Sequence, residues 1–245
     1  MSEANVAVVA GGTGEIGEGV VRAFLANDYQ VYVPERQPGN ADRLKTHCAD
    51  RADQLITLTA DLGSADQVQQ FAHNVAEQAG HIDAVVVSVG SYYYGHRLHR
   101  MPRQDWDKSV SDNLITHFNL QQAFIRLLRD RKQGVYITLT GPESDGVRPE
   151  SGVQSIMSAA QKMMTRVLAV EASDTPVRVH AVTSHTSVLT RSRGEQSGPE
   201  WISADTLGEY VCALADSALP NAGETLHDLM DRKHLQSLLK RRRTA

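Results

Sequence analysis

The chain has 245 residues, 41% of them hydrophobic and 22% charged, with a net charge of −4, which suits one large α/β domain and gives no general attraction for nucleic acid. No apolar run approaches the roughly 20 residues of a membrane span, and no signal-peptide pattern precedes the first strand-like segment, so a cytoplasmic protein without nucleic-acid or membrane partners is expected. Cys48 and Cys212 lie far apart with no partner motif and read as buried, inert thiols, and no metal site is expected.

Short β-branched runs alternate with longer segments of helical period, the pattern of repeated βαβ units. Strands are predicted at Val6–Ala10, Gln30–Val33, Leu55–Thr59, Ala84–Val89, Val135–Thr140, Val177–Thr183 and near Glu224–His227. Helices are predicted at Ile16–Asn27, Ala41–Ala49, Ala65–Gln78, Val110–Asp130, Val153–Ala172 and Ala204–Ala215. The fold expected is therefore α/β, a doubly wound parallel sheet of seven strands with helices on both faces, in one domain over residues 1–230. Gly90–Arg103 and Ser184–Glu200 are long irregular connections of the kind that carries function. The last segment, 231–245, reads as a basic tail, with Leu235, Leu238 and Leu239 suggesting a short amphipathic helix before the run Lys240–Arg243.

The first strand runs straight into Gly11–Gly12–Thr13–Gly14–Glu15–Ile16–Gly17 and a helix, the setting that a dinucleotide fingerprint requires. Glycines let the backbone approach a pyrophosphate, and the amides and dipole of the following helix favour its charge. Gly11, Thr13, Gly14, Ile16 and Gly17 are the candidate phosphate-side contacts. Glu35, at the end of the second strand, can accept from both ribose hydroxyls and points to NAD, whereas Arg36 can pair with a 2′-phosphate and points to NADP. The balance leans to NAD. Asp61 and Leu62, after the third strand, are placed at the adenine; a helix-capping role for Asp61 is the alternative.

With these motifs in view the chain resembles the short-chain dehydrogenase/reductase family over most of Val6–Leu229, which implies a Rossmann fold and an NAD(P)-dependent oxidoreductase. Asp61–Leu62 is similar to the family's adenine-site pair, and His81–Ile82–Asp83–Ala84–Val85–Val86 to its approach to the fourth strand, after which only Gly90 remains of the usual Asn-Asn-Ala-Gly. Trp106 and Asn113–Leu114 are similar to its central-helix pattern, whose asparagine supports a proton-relay water. Thr165–Glu171, Arg178–Val182 and Ala222–His227 match later stretches.

The resemblance places the family's tyrosine at Gln154, its lysine at Ser158 and its serine at Gly141. A neutral amide has no proton-transfer pKa near neutrality, and a serine cannot supply an ammonium charge, so the ordinary mechanism is lost. Candidate substitutes are Thr140, the amine of Lys162, and the loop residues Tyr92, Tyr93, Tyr94 and His96, with Asn113, Thr140 and Tyr93 as the leading catalytic set. His185 reads as a loop residue, and Thr186, Ser187 and Thr190 as nearby hydroxyls facing the nicotinamide end of a cofactor.

The reading that follows is an NAD(P)-binding sensor or partner subunit with little ordinary hydride transfer. The alternatives are an active oxidoreductase of a small carbonyl or alcohol using a donor from Tyr92–Tyr94, and a non-redox lyase, cyclase or isomerase. The resemblance also implies a homodimer or homotetramer through the two long helices, with Met157, Met163, Met164 and Val167 as an apolar seam.

Overall fold

The computed structural model describes residues 4–196 and 198–242. Its strands are β1 (Val6–Ala10), β2 (Gln30–Glu35), β3 (Leu55–Thr59), β4 (Ala84–Val87), β5 (Val135–Thr140), β6 (Arg178–Ser184), β7 (Val188–Leu189), β8 (Ile202–Ser203) and β9 (Leu226–Leu229). Seven of them form one sheet in the order β3-β2-β1-β4-β5-β6-β9, every pairing parallel. β7, inside the Ser184–Glu200 connection, and β8, just beyond it, form a separate two-stranded ladder.

Successive side chains of a strand face opposite sides, and here both sides are covered. Ala7, Val9, Val31, Val33, Val86 and Ile137 join one buried cluster with α1 (Glu15–Ala26), α2 (Pro38–His47) and α7 (Ala204–Ala215). Val6, Val8, Tyr32, Val85, Val87 and Tyr136 join the other with α3 (Ala65–Ala79), α5 (Thr116–Arg131) and α6 (Gly152–Glu171). Continuous runs such as Val6–Ala10 are thus strands buried on both faces.

Several boundaries differ from the sequence expectations for local reasons. β2 extends to Glu35, which pairs in register with Thr59. β4 stops at Val87, and the last strand begins at Leu226 because the Glu224 amide is still bound to the Asn221 carbonyl in a turn. The central helix starts earlier, as α4 (Arg103–Val110) with Pro102 at its N-cap, and continues through a π-helical turn at Ser111–Ile115 into α5. After residue 230 the chain forms α8 (Arg232–Leu239), which is seated on the domain rather than trailing from it: Leu235 is buried in the core, and Arg242 donates to the Glu209 carbonyl. Residues 243–245, which include the end of the basic run, lie outside the described residues.

Cys48 and Cys212 are free and buried, and burial pushes their thiols up to about 11 and about 12. The expected seam on α6 divides, with Met157 buried and Met163 and Val167 exposed, beside exposed Val170 and, on α5, Phe118. Among the described residues no helix is long and apolar enough to cross a membrane.

Two buried histidines make stability depend on pH. His117 on α5 is 3% exposed, with Nε2 3.0 Å from the Val89 carbonyl, and burial pulls it down to about 4. His180 on β6 is pulled down to about 4 by burial as well. Above the ordinary histidine value of about 6.5 both are neutral in the folded and unfolded chain alike. Below it the unfolded chain takes up protons that the folded one refuses until about pH 4, so stability should fall across that window by about 1.4 kcal/mol per pH unit for each histidine. Urea unfolding midpoints should drop steadily between about pH 6.5 and about pH 4. His117→Gln, whose amide can still donate to Val89, should flatten that slope; midpoints that stay constant with pH would contradict the assignment.

Candidate cofactor cleft and active site

The turn from β1 to α1 is built by backbone contact. Gly11 has a φ of +86°, and a Cβ there would lie 2.3 Å from the Ser88 carbonyl oxygen; a Cβ on Gly17 would lie 2.1 Å from the oxygen of Gly11. No larger residue fits either position without opening the turn. Gly14 caps α1 without a side-chain acceptor, so the first-turn amides are open to an anion. Glu15 would oppose a phosphate at that end, but its carboxylate turns aside to accept from Ser192 Oγ at 2.6 Å and the Ser192 amide at 3.1 Å. The Ser192 hydroxyl, then a hydrogen bond from Thr190, hold it below the usual carboxylate range against the opposing effect of burial. The phosphate turn and the Ser184–Glu200 loop are thereby tied together.

Two cavities open along this edge and share a rim at Ser88–Ser91. The first, of about 460 Å³, is lined by Gly11, Thr13, Gly14, Pro34, Arg36 and Leu62. The second, of about 510 Å³, begins at Ile16 and Asn113 and runs past Thr140, Gly141, Gln154 and Ser158 to the His185–Val188 segment. Gly90 belongs to both walls, and a Cβ there would lie 2.5 Å from Asn113 Oδ1.

The two neighbours at the end of β2 separate sharply. Glu35 is 7% exposed and accepts from the Ala41 amide at 3.1 Å, so its carboxylate serves the start of α2 and does not line the first cavity. Arg36 does line it, with its side chain 62% exposed and Nε 3.6 Å from Asp61 Oδ1. Asp61 Oδ1 also accepts from the Gly63 amide at 3.1 Å, while the capping of α3 falls to Ser64. The Leu62 carbonyl is held by Asn119 at 3.1 Å.

The catalytic candidates also divide. Asn113 sits in the π-helical turn, buried, donating to the Ser109 carbonyl at 2.9 Å and the Ser91 carbonyl at 3.2 Å. Its own backbone carbonyl accepts from Gln161 Nε2 at 2.9 Å. Thr140 is buried at the cavity wall, where its hydroxyl pairs with Thr183 across the β5–β6 ladder at 3.1 Å. Tyr93 does not line the cavity: its hydroxyl binds His96 Nδ1 at 2.5 Å and Asp105 at 3.2 Å, and desolvation followed by the Asp105 contact raises its pKa. Tyr94 donates to Glu150 at 2.9 Å, which raises it too. Tyr92 alone of the three lines the cavity, 3.5 Å from Ser151 Oγ.

At the positions where the family resemblance places serine, tyrosine and lysine, the wall carries Gly141, Gln154 and Ser158, with Gln154 Nε2 3.4 Å from Ser158 Oγ. Lys162 turns away from them to Asp145 at 2.6 Å and lies 3.6 Å from Asp228. His185 Nε2 is 2.8 Å from Asp228 Oδ1. Asp145, His185 and Asp228 bring ligand-type atoms within 4.8 Å of one another, but the Lys162 ammonium already meets both carboxylates and fills the place of a cation. Gln161 and this charged group were not legible as a site. Gln161 had a signal, since it follows Gln154 by two helical turns on one face, whereas the charged group is assembled by the sheet.

A sequence profile described as short chain dehydrogenase matches residues 5–198. The chain is similar to a 3-oxoacyl-[acyl-carrier-protein] reductase of Synechocystis sp., 27% identical over 180 residues that span 73% of this chain and 72% of the relative. It is similar to glucose 1-dehydrogenase 2 of Bacillus subtilis, 22% identical over 72% of this chain and 69% of that protein. Its fold is that of ElxO with NADP bound, at a TM-score of 0.83, 17% identity and 93% and 97% coverage of the two chains. Levodione reductase superposes with a TM-score of 0.84 at 17% identity, covering 95% and 98%.

The turn geometry predicts a steep cost for a single methyl group. Gly17→Ala, whose Cβ meets the Gly11 backbone, should lower stability by about 2–4 kcal/mol. Gly39→Ala, in open space on α2, should change it by no more than about 1 kcal/mol, in the stabilising direction. Thermal melts of the two variants compare them directly, and equal melting would mean that the turn is not close-packed.

Proposed function

Because the chain belongs to the short-chain dehydrogenase family, we propose that its cleft binds NADP(H) and that the bound cofactor is not turned over by the family's serine–tyrosine–lysine route. Ordinary hydride transfer is then slight, and holding the dinucleotide, as a sensor or a partner subunit, is the leading role. The observation that carries this reading is the wall of the second cavity, where Gly141, Gln154 and Ser158 stand together beyond an intact glycine turn.

The turn fits a dinucleotide: its glycines let the chain close tightly at the end of β1, and the amides of α1 lack a side-chain cap. Thr13 and Gly14 line the phosphate side, Leu62 and Gly90 the walls, and Arg36 the ribose side. When bound, the cofactor supplies a hydride at its nicotinamide ring. Placement of Arg36 in the cavity, with Glu35 occupied at α2, supports NADP over the NAD that the sequence favoured, since a guanidinium pairs with a 2′-phosphate. The like-folded ElxO holds NADP, in agreement with that preference.

On the nicotinamide side, Gln154 and Ser158 can hydrogen-bond a ligand but cannot exchange a proton with it near neutral pH. The Asn113 carbonyl accepts from Gln161, which supports a relay position served by a protein amide. A donor from the tyrosine loop has less support, because Tyr93 and Tyr94 are directed to Asp105 and Glu150.

Two results are expected. NADPH fluorescence should be enhanced saturably and at lower concentration than NADH, and Arg36→Ala should narrow that difference by about tenfold, one lost charge-assisted contact. No binding of either at millimolar concentration would remove the proposal. The triple variant Gly141→Ser, Gln154→Tyr, Ser158→Lys should reduce model aldehydes and ketones at least about a hundredfold faster than the wild type, the scale of a restored acid catalyst. A wild type as fast as the variant would show that the lost residues are not needed.

A further inference from the structure

Behind the second cavity, which His185 alone of the group lines, charge gathers from four separate segments. His185 follows β6, Asp228 lies on β9, Lys162 on α6 and Asp145 just after β5. The β6–β9 ladder sets their meeting: Thr183 is in register with Asp228 and Ser184 with Leu229, and the His185 amide donates to the Leu229 carbonyl at 2.9 Å. His185 Nε2 then lies 2.8 Å from Asp228 Oδ1, which is itself 3.6 Å from the Lys162 ammonium. Lys162 bridges on to Asp145 at 2.6 Å, and Ser144 Oγ steadies the same Asp145 oxygen at 3.0 Å. Two carboxylates against one ammonium leave one negative charge facing the imidazole ring. His185 lines the same cavity as Gly141, Gln154 and Ser158.

We propose that His185 is the acid–base group of this cleft, held in orientation by Asp228, and that it serves an aldehyde or ketone substrate in place of the missing tyrosine. This rests on the cofactor-binding reading above and adds to it a proton-transfer group outside the family's positions. Histidine is the side chain that ordinarily exchanges its proton near neutrality, and an imidazole fixed through one nitrogen by a carboxylate passes protons through the other. In the reducing direction the carbonyl carbon accepts a hydride, the C=O π electrons move to oxygen, and that oxygen takes a proton from imidazolium Nδ1. An alcohol, oxidised cofactor and neutral imidazole result, and the ring regains its proton from water. Asp228 is a positioning residue: it fixes the ring but does not touch the substrate.

The test compares wild type, His185→Gln and Asp228→Asn for NADPH oxidation with a panel of aldehydes and ketones between about pH 6 and about pH 9, alongside NADPH fluorescence titration of each. The groups that can shift the profile are Asp228, Lys162 and Asp145 around the ring and Glu143, Arg148, Arg193 and Glu200 elsewhere on the cavity wall. The slow wild-type turnover should fall at least about tenfold in His185→Gln with NADPH binding unchanged, and Asp228→Asn should move the pH at which the rate declines. Independently of turnover, diethyl pyrocarbonate should modify His185, read by mass spectrometry, and saturating NADPH should slow that modification. Adding Gly141→Ser, Gln154→Tyr and Ser158→Lys to His185→Gln should restore reduction and show that the variant is folded. Wild type and His185→Gln turning over equally, or neither turning over while both bind NADPH, would overturn the assignment of His185 alone. A wild type that does not bind NADPH would overturn the cofactor reading and this proposal with it.

Discussion

The contact on which the rest of the cleft depends is the approach of Gly17 to the carbonyl of Gly11, close enough that a Cβ would lie 2.1 Å from that oxygen. It presses the first turn of α1 against the end of β1, an interior strand, which pairs with β2 on one side and β4 on the other. The chain order reverses there, so the connections leaving β1 and β4 diverge and a crevice opens between them. Both cavities lie along that crevice. Glu15, at the same turn, reaches the Ser184–Glu200 loop through Ser192, so the glycine contact also fixes one side of the second cavity.

Much of the fold was legible because parallel strands covered on both faces are written as unbroken β-branched runs, and Val6–Ala10 and Val135–Thr140 are of that kind. Ends were less legible, since they depend on which partner a backbone group finds: Glu35 joins β2 because β3 offers Thr59 opposite it. Side-chain direction at a strand end was the main failure. Sequence distance puts Glu35 and Arg36 equally near a ribose, but period-two alternation sends them to opposite sides, Glu35 to the amide of Ala41 and Arg36 to the cavity. Tyr93 was misjudged as a cleft residue for a similar reason, because a loop position carries no periodicity to say where the ring points, and His96 and Asp105 decided it.

His185 shows the opposite case. Read singly it is a loop histidine, and nothing in the 43 residues that separate it from Asp228 announces a pair. The pair exists because β9 adds to β6 in the register that sets Asp228 beside Thr183, and because Lys162, a candidate substitute amine in the sequence, is drawn in by Asp145 until its side chain is 12% exposed. The second cavity therefore carries neutral amides and hydroxyls from α6 on one side, with His185, after β6, on another and the charged group behind it. Gln154, Ser158 and Gln161 form a polar stripe on one helical face, satisfied largely within the protein.

The central claim, a retained dinucleotide site beside a missing tyrosine–lysine relay, is tested most directly by a crystal structure of the protein soaked with NADPH. The predicted result is density for the pyrophosphate over Gly11–Gly17, the 2′-phosphate against Arg36, and the nicotinamide facing Gln154 and Ser158 with no tyrosine hydroxyl near it. Density absent at saturating NADPH, or a tyrosine hydroxyl brought against the nicotinamide ring, would contradict it.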